Sequence, residues 1–237
     1  MSDADFESAL ATLDQSASTP SRFHEPFVRL FPVSGATVAT IGNLLGSETI
    51  AASDDLGARI DELQMDLGEG PCWDAMNSGL PVIEPYIRTR PHATWPAFSA
   101  AILGQPVNSM FAFPLRIGSL RLGAVDLYST EPVDLSPIQT RQASTMADVV
   151  SRHVLRRALH ETRGDHEHTG NAFSRRIVHQ ATGMLIAQLR ISSEEAVLIM
   201  QGHAFADDRS MMQVAQDILD KRMVFGYGEN GIEVVHD

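Results

Sequence analysis

Cysteine, lysine and long hydrophobic runs are almost absent from this sequence. Cys72 is the only cysteine in 237 residues, which excludes an internal disulfide and every zinc site that needs a pair of cysteines. No window reaches the ~18 consecutive apolar residues of a membrane span. The acidic N-terminus also lacks the basic and apolar segments of a signal peptide. These absences favour a cytoplasmic protein with no membrane partner.

The motifs of the common enzyme classes are also missing. The sequence contains no P-loop, no G-x-S-x-G and no H-E-x-x-H. His92 and His153 are of the residue type that binds haem or a metal, but they lack a paired ligand spacing. Asp126 lies in a predicted strand without the pattern of a receiver domain, so it is not expected to be a phosphoacceptor. We therefore expect no catalytic residue and no metal site.

Charge is unevenly distributed along the chain. The formal net charge is -12, and Lys221 is the only lysine beside 17 arginines. Residues 1–170 carry 12 Arg against 21 Asp and Glu, whereas residues 171–225 carry 5 Arg and 1 Lys against 6 acids. Long-range repulsion by acidic residues lowers the on-rate for polyanions. The acidity that opposes indiscriminate polyanion binding therefore lies mainly in the first two-thirds.

A mixed β/α pattern occupies the first part of the chain. Residues 3–15 predict a short amphipathic helix, and SASTPS at 16–21 is typical of a linker. Strands are expected at GATVATIG (35–42), ETIAASD (48–54) and PVIEPYI (81–87), and two more within 108–130. Helical patterns separate these strands. A proline within a strand, Pro114, indicates an edge or a bulge.

A single long helix is predicted between Leu135 and Arg163, because no residue after Pro137 breaks it. Its apolar residues recur about every 3.5 residues, as in a coiled coil. They are Ile138, Ala143, Met146, Val149, Val150, Val154, Leu155 and Leu159. We therefore expect a connecting helix whose apolar seam is available to a partner, and a homodimer formed through residues 138–160.

The C-terminal segment predicts three helices. Ser192-x-x-Glu195 and Ser210-x-x-Gln213 are capping boxes, in which the serine oxygen accepts from a backbone N–H and the Glu or Gln side chain reciprocates. These two signals divide residues 171–225 into three helical segments. The glycine-rich tail that follows is predicted to be flexible.

The first of these helices contains Gly183, although helix interiors disfavour glycine by about 1 kcal/mol relative to alanine. At about 100° per residue, a core face forms, and Gly183 falls on the opposite face. The core face comprises Ile177, Val178, Ala181, Met184, Leu185 and Leu189. Around the glycine lie Arg176, His179, Gln180, Ala187 and Arg190, with Arg175 at the edge.

This outer face permits two explanations. A bulky anionic partner suits a bare spot surrounded by arginines, because arginine pairs with phosphate and stacks on bases. The alternative is that Gly183 admits a neighbouring helix while the arginines are solvated. Helical spacing alone leaves both open.

Four groups of residues follow one another within residues 173–225. They are Gln180-Ala181-x-Gly183-Met184-Leu185, Ser193-x-Glu195-Ala196, His203-Ala204 and Val214-Ala215-x-Asp217-Ile218. In this order they resemble an ANTAR domain, the three-helix RNA-binding module of transcription antitermination regulators. The resemblance implies dimeric binding to paired RNA stem-loops. Thr182 stands where many members have lysine, which implies one cation fewer on the RNA face.

If this segment binds RNA, as the resemblance to an ANTAR domain implies, the residues around Gly183 and the nearby arginines are the candidate contacts. Arg175, Arg176, Arg190 and Arg209 are expected to contact phosphates or stack on bases. His179, Gln180 and Gly183 are expected at the centre of the contact.

Further groups of residues occur in order within residues 22–155. They are Leu67-Gly68-Glu69-Gly70-Pro71-Cys72-Trp73-Asp74-Ala75, Asn108-Ser109, Pro114-Leu115 and Gly123-Ala124-Val125. This order resembles a GAF domain, in the version coupled to ANTAR in actinobacterial regulators. The resemblance implies a six-stranded antiparallel sheet with helices, and an unknown small ligand over one face. Candidate ligand residues are Cys72, Trp73, Phe111 and Phe113, with packing in the core as the alternative.

Together these patterns predict an α+β protein. Its parts are an N-terminal helix and linker (1–21), a GAF sensor domain (22–136), a connecting coiled-coil helix (137–170), a three-helix ANTAR domain (171–226) and a flexible tail (227–237). The expected function is a signal-responsive antiterminator that binds a two-hairpin RNA in a nascent transcript. The alternative is a regulator whose helical end binds a protein partner across Gly183 and Ala187, without RNA.

Overall fold

The computed structural model describes residues 3–42, 45–89, 93–162, 175–207, 209–228 and 231–235. The chain divides into two compact units, Met1–Phe173 and Ser174–Asp237. Each unit has its own hydrophobic core. Among the described helices, none is both long and apolar enough to cross a membrane.

The first unit combines helices with one sheet. Its helices are α1 (Asp3–Gln15), α2 (Glu25–Leu30), α3 (Asp55–Leu67), α4 (Pro71–Ser78), α5 (Pro96–Ile102) and α6 (Pro137–Thr162), with 3₁₀ turns at Ser16–Ser18 and Pro20–Arg22. Its strands are β1 (Gly35–Thr40), β2 (Glu48–Ala52), β3 (Val82–Glu84), β4 (Ser109–Ile117) and β5 (Leu120–Ser129). Each strand predicted from the sequence is present, although β3 is short because Pro85, which has no N–H, follows it.

The strands form one antiparallel sheet in the order β2-β1-β5-β4-β3. Within the described residues this is one strand fewer than the six-stranded expectation. Strands β4 and β5 form a hairpin at Gly118, whose φ of 60° suits the tight turn. Pairing of β4 with β3 stops at Ala112, so Pro114 lies at a local edge. The position of this proline is as predicted, since proline cannot donate to a neighbouring strand.

Helices cover both faces of the sheet. Helices α1, α2 and α6 pack on one face, and α3, α4 and α5 pack on the other. Ala9 and Leu13 of α1 are fully buried in the same core as α6. The helix predicted over residues 3–15 is confirmed, and its apolar side completes the core of the domain that was predicted to begin at residue 22.

Helix α6 confirms the predicted long helix but not its exposed seam. Ala143, Met146 and Val150 are completely buried, and they pack with the sheet and α1. At the two ends of the stripe, Ile138 is 59% exposed and Leu159 is 57% exposed. Most of the stripe is therefore covered within its own domain, and a homodimer formed through residues 138–160 stays a prediction.

The second unit contains α7 (Arg176–Leu189), α8 (Ser193–Ala206), α9 (Met211–Leu219) and a hairpin of β6 (Val224–Gly228) and β7 (Gly231–Val235). Both predicted capping boxes are present, with reciprocal hydrogen bonds at α8 and α9. Among these residues the predicted flexible tail is wrong. Phe225 is buried and Ile232 and Val234 pack beside it, so the hairpin closes the helical core.

Candidate nucleic-acid interface

Helix α7 separates an apolar face from a polar one. Val178, Ala181, Leu185 and Leu189 are buried in the core of the second unit. On the opposite side, the exposed residues are Arg176, His179, Gln180, Gly183, Ile186 and Ala187. The segment from Asn171 to Ser193 contains no acidic residue. The exposed side of α7 between Arg176 and Arg190 is called the α7 outer face below. It presents cationic and amide groups, and its own segment contributes no carboxylate.

Gly183 lies in the middle of the α7 outer face. Among the described residues, no atom lies within 4 Å of a Cβ built at this glycine. The alternative explanation was that a neighbouring helix of this chain packs closely against Gly183. No such contact is found among the described residues. The bare spot is open to an external partner.

Arg190 ends α7 in an unusual conformation. Its φ of 55° and ψ of 41° are left-handed, and its N–H donates to the Ile186 carbonyl at 2.9 Å. Glycine is the usual residue at such a helix end, because other side chains are disfavoured there. The Arg190 side chain is exposed, so the helix ends with a cation at the edge of the α7 outer face.

Two of the predicted RNA contacts are engaged within the unit. The Arg175 side chain is buried, and its Nη2 lies 3.7 Å from Sδ of Met211. Arg209 forms an ion pair with Asp217, and it also donates to the Gln213 carbonyl at 3.2 Å. Arg175 is therefore corrected to a buried position, whereas Arg209, whose side chain is 30% exposed, stays a predicted RNA contact that also binds α9.

Thr182 also lies elsewhere than predicted. It is buried, and its hydroxyl donates to the Val178 carbonyl at 2.8 Å. The position therefore belongs to the core side of α7 rather than to the exposed face. The expectation that threonine here removes a cation from the RNA face is wrong.

The hairpin of β6 and β7 places a further residue at the C-terminal end of α7, and the sequence analysis did not identify it. Tyr227 is 69% exposed, and its hydroxyl donates to the Leu189 carbonyl at 2.7 Å. The sequence pattern that indicates this hairpin is a pair of large residues two positions apart, Phe225 and Tyr227, followed after a glycine-containing segment by a second such pair, Ile232 and Val234.

The four predicted ligand residues of the first unit do not form one site. Phe111 and Phe113 are fully buried on the sheet face covered by α1, α2 and α6. Cys72 is buried on the other face, and burial raises the pKa of its thiol. Trp73 packs beside it and donates from Nε1 to the Gln64 carbonyl at 2.7 Å. A shared site is therefore wrong, because Phe111 and Phe113 point to one face of the sheet and α4, which carries Cys72 and Trp73, covers the other.

A buried polar cluster lies on the same face as Cys72. Gln64 donates to Asp126, and its Oε1 accepts from the Cys72 N–H at 2.9 Å. Asp61 accepts from the Thr49 hydroxyl. Burial and the nearby Asp61 carboxylate raise the pKa of Asp126 to about 8, although the Gln64 hydrogen bond opposes the shift. The sequence analysis did not identify Asp126 as a site residue. The pattern that could have identified it is a single carboxylate inside the apolar strand β5.

Of the two histidines considered for a metal, the structure describes His153. His92 lies outside the described residues, and Nε2 of His153 lies 3.1 Å from Asp14 Oδ1. Within the described ranges, three or more His, Cys, Asp or Glu side chains do not gather into a group suited to a metal ion.

Family models match both units. A model described as GAF domain matches residues 22–154, and one described as ANTAR domain matches residues 172–219. The ANTAR match contains all of α7 and α8 and ends with α9.

Solved structures are similar to the first part of the chain. The GAF domain of an Acinetobacter phosphoenolpyruvate-protein phosphotransferase aligns with a TM-score of 0.54 and 12% identity, over 68% of this chain and 99% of that one. The corresponding domain from Coxiella burnetii aligns with a TM-score of 0.52 and 13% identity, over 68% and 99%. Identities this low establish a shared fold only. Among curated proteins, none matches the sequence significantly.

Proposed function

Because this chain belongs to the GAF domain family and its C-terminal helices match the ANTAR domain, we propose that it is a signal-responsive RNA-binding regulator of transcription antitermination. The GAF domain senses a small ligand, and the ANTAR domain binds a two-hairpin RNA in a nascent transcript in the cytoplasm. The observation that carries this proposal is the α7 outer face, where exposed cationic and amide side chains surround a bare glycine.

The chemistry of the α7 outer face favours nucleic acid. Arg176 and Arg190 provide planar guanidinium groups that pair bidentately with phosphate oxygens. Gln180 donates and accepts hydrogen bonds, as recognition of an unpaired base requires. Because Gly183 carries no side chain, RNA backbone can approach the helix closely there.

The overall charge of -12 does not oppose this assignment. At physiological salt, charges separated by more than a Debye length of about 8 Å interact weakly. The segment from Asn171 to Ser193, which contains the α7 outer face, has three arginines and no acidic residue, so its own charge favours an anionic partner. The acidic first unit instead limits indiscriminate binding of polyanions.

The test begins with crosslinking of RNA to the chain in cells, followed by sequencing. An enriched two-hairpin transcript is then titrated by fluorescence anisotropy. The association constant should fall steeply between about 50 and 200 mM salt, because phosphate contacts release counterions. Arg176→Gln and Arg190→Gln should each reduce the logarithmic salt slope by about 0.7–0.9.

Arg156→Gln provides the matched control, since Arg156 is an exposed arginine on α6 of the first unit. It should leave both the affinity and the salt slope unchanged. If crosslinking recovers no enriched two-hairpin transcript, the proposal is contradicted. An equal effect of all three arginine substitutions would show that overall charge, rather than the α7 outer face, is responsible.

A second candidate function is suggested by α8. Leu198 is 64% exposed and Phe205 is 72% exposed, and with exposed Gly202 they lie on one stripe of the helix. An apolar stripe of this kind suits a protein partner, as in a regulator that acts without RNA. Salt separates the two functions, because docking of apolar side chains changes little between about 50 and 200 mM salt.

Ligand sensing is proposed for the sheet face covered by α3, α4 and α5. Cys72, Trp73 and the buried Asp126 cluster lie on this face, whereas Phe111 and Phe113 do not. A thermal-shift screen with a panel of small metabolites tests this assignment. A ligand that stabilises the chain should lose that effect in Asp126→Asn and keep it in Phe111→Leu.

A further inference from the structure

The hairpin of β6 and β7 lies beyond the segment that matches the ANTAR domain, which ends at residue 219. On its inner face Phe225 is buried, and Ile232 and Val234 pack against the helical core. Tyr227 lies on the same face, since it follows Phe225 by two residues and pairs with Ile232. Unlike its neighbours, Tyr227 leaves 69% of its surface exposed.

The exposed ring is nevertheless fixed in place. Its hydroxyl donates to the Leu189 carbonyl at 2.7 Å. Leu189 is the last residue of α7, where backbone carbonyls lack partners within the helix. The ring is therefore held at its base by strand β6 and at its tip by the end of α7. A side chain that is already ordered loses little further freedom when it binds.

The ring stands at one end of the α7 outer face. Arg190, the exposed cation, directly follows the residue that Tyr227 contacts. The helical rise of 1.5 Å per residue separates the two exposed arginines, Arg176 and Arg190, by about 21 Å along α7. Glu233 projects from the opposite face of the hairpin, since it pairs with Gly226 rather than with Tyr227.

We propose that Tyr227 is a base-stacking platform that extends the RNA-binding surface of α7 onto the hairpin. An unpaired loop base stacks on the exposed ring, while Arg190 holds the adjacent phosphate. The inference rests on the proposed function, because it assigns a further contact to the same RNA. It gives the hairpin a role in recognition in addition to closing the core.

Two substitutions separate stacking from the hydroxyl's role at the end of α7. Tyr227→Phe and Tyr227→Leu both remove the hydrogen bond to Leu189, but only phenylalanine keeps an aromatic face. The probe is the two-hairpin RNA recovered by crosslinking to the wild-type chain, with 2-aminopurine placed in its loops. Tyr227→Phe should keep most of the affinity, whereas Tyr227→Leu should lose between about 5-fold and about 150-fold.

The fluorescence of 2-aminopurine supplies a second readout. Stacking quenches it, so the wild-type chain and Tyr227→Phe should quench one loop base and Tyr227→Leu should not. Thermal unfolding of the two variants should coincide, since both lack the hydroxyl.

The outcomes distinguish this inference from the proposed function. Equal RNA affinities of Tyr227→Phe and Tyr227→Leu would overturn the platform, whether both were weakened or neither was. If Arg190→Gln still weakened binding in that case, the proposed function would stand without the platform. A wild-type chain that binds no RNA would overturn both.

Discussion

Gly183 and Gly202 are exposed glycines inside neighbouring helices, and neither is required for packing among the described residues. No described atom lies within 4 Å of a Cβ built at either position. Replacement of each by alanine should raise the free energy of unfolding by ~0.5–1 kcal/mol, because alanine is the better helix former. Urea unfolding of Gly183→Ala and Gly202→Ala measures this gain.

RNA binding should separate the same two positions. Gly183→Trp should abolish binding of the two-hairpin RNA, because the indole fills the place where the RNA approaches. Gly202→Trp on α8 is the control and should bind normally. Circular dichroism should give the wild-type helical signal for both. A Gly183→Trp chain that fails to fold would restore a packing explanation for this glycine.

Asp126 makes stability depend on pH. Its pKa in the folded protein is about 8, well above the ordinary value of 3.8, so folding is accompanied by proton uptake. The resulting stability is fully present below pH ~4 and is lost as the pH rises towards about 8. Because one pH unit across this window corresponds to about 1.4 kcal/mol, we expect the free energy of unfolding to fall by at least ~2 kcal/mol between pH 5 and pH 9.

The substitution Asp126→Asn isolates this effect, because asparagine can accept the Gln64 hydrogen bond without ionising. Urea unfolding at pH 5, 7 and 9 should show a weaker pH dependence in the variant than in the wild type. Identical pH profiles of the two proteins would show that Asp126 does not take up the proton on folding.

At the scale of single residues, the sequence predicted which side chains of α7 are exposed better than it predicted which residues they contact. Helical periodicity placed Gly183, His179 and Gln180 correctly, because a period of 3.6 residues fixes which side chains oppose the core. It placed Arg175 at the edge of the outer face, although this residue is buried against Met211 of α9, and it could not reveal the ion pair between Arg209 and Asp217. Such contacts join positions distant in sequence, so spacing within one helix does not reveal them.

Helix α6 shows the same limit at the scale of an element. The repeat of apolar residues predicted that one side of the helix is buried, and that is correct. It did not identify the covering surface, which is the sheet and α1 rather than a second chain. The capping boxes of α8 and α9 were predictable because each involves only four consecutive residues.

Two substitutions in α6 test which surface covers its stripe. Met146 is completely buried in the domain core, so Met146→Ala should lower the free energy of unfolding of the first unit by about 2–5 kcal/mol. Leu159 is 57% exposed, and Leu159→Ala should change it by less than about 0.5 kcal/mol. Chemical denaturation monitored by tryptophan fluorescence is suitable, since Trp73 and Trp95 both lie in this unit.

The opposite result has a clear meaning. If Met146→Ala altered dimerisation without altering the stability of the monomer, the stripe would face a second chain after all. Analytical ultracentrifugation of the same two variants provides that comparison.

At the scale of the whole molecule, the two units have different electrostatic characters. Residues 1–170 carry most of the net charge of -12, whereas residues 171–225 are neutral overall. The acidic first unit is therefore expected to repel polyanions, whereas the second unit carries no net charge that would oppose them. This segregation was predictable from the sequence, because it depends on composition along the chain and not on tertiary contacts.

The proposed regulator also requires a definite stoichiometry. A two-hairpin RNA offers two equivalent sites, and binding at one raises the effective concentration at the other for a chain that dimerises. Native mass spectrometry should therefore show two chains of 25.9 kDa on a two-hairpin RNA, and this complex should survive at lower protein concentration than the complex with either isolated hairpin. The two-hairpin complex should form cooperatively, because the pair of chains is favoured over either alone. A single chain spanning both hairpins would contradict the proposal, since one α7 outer face would then serve two stem-loops.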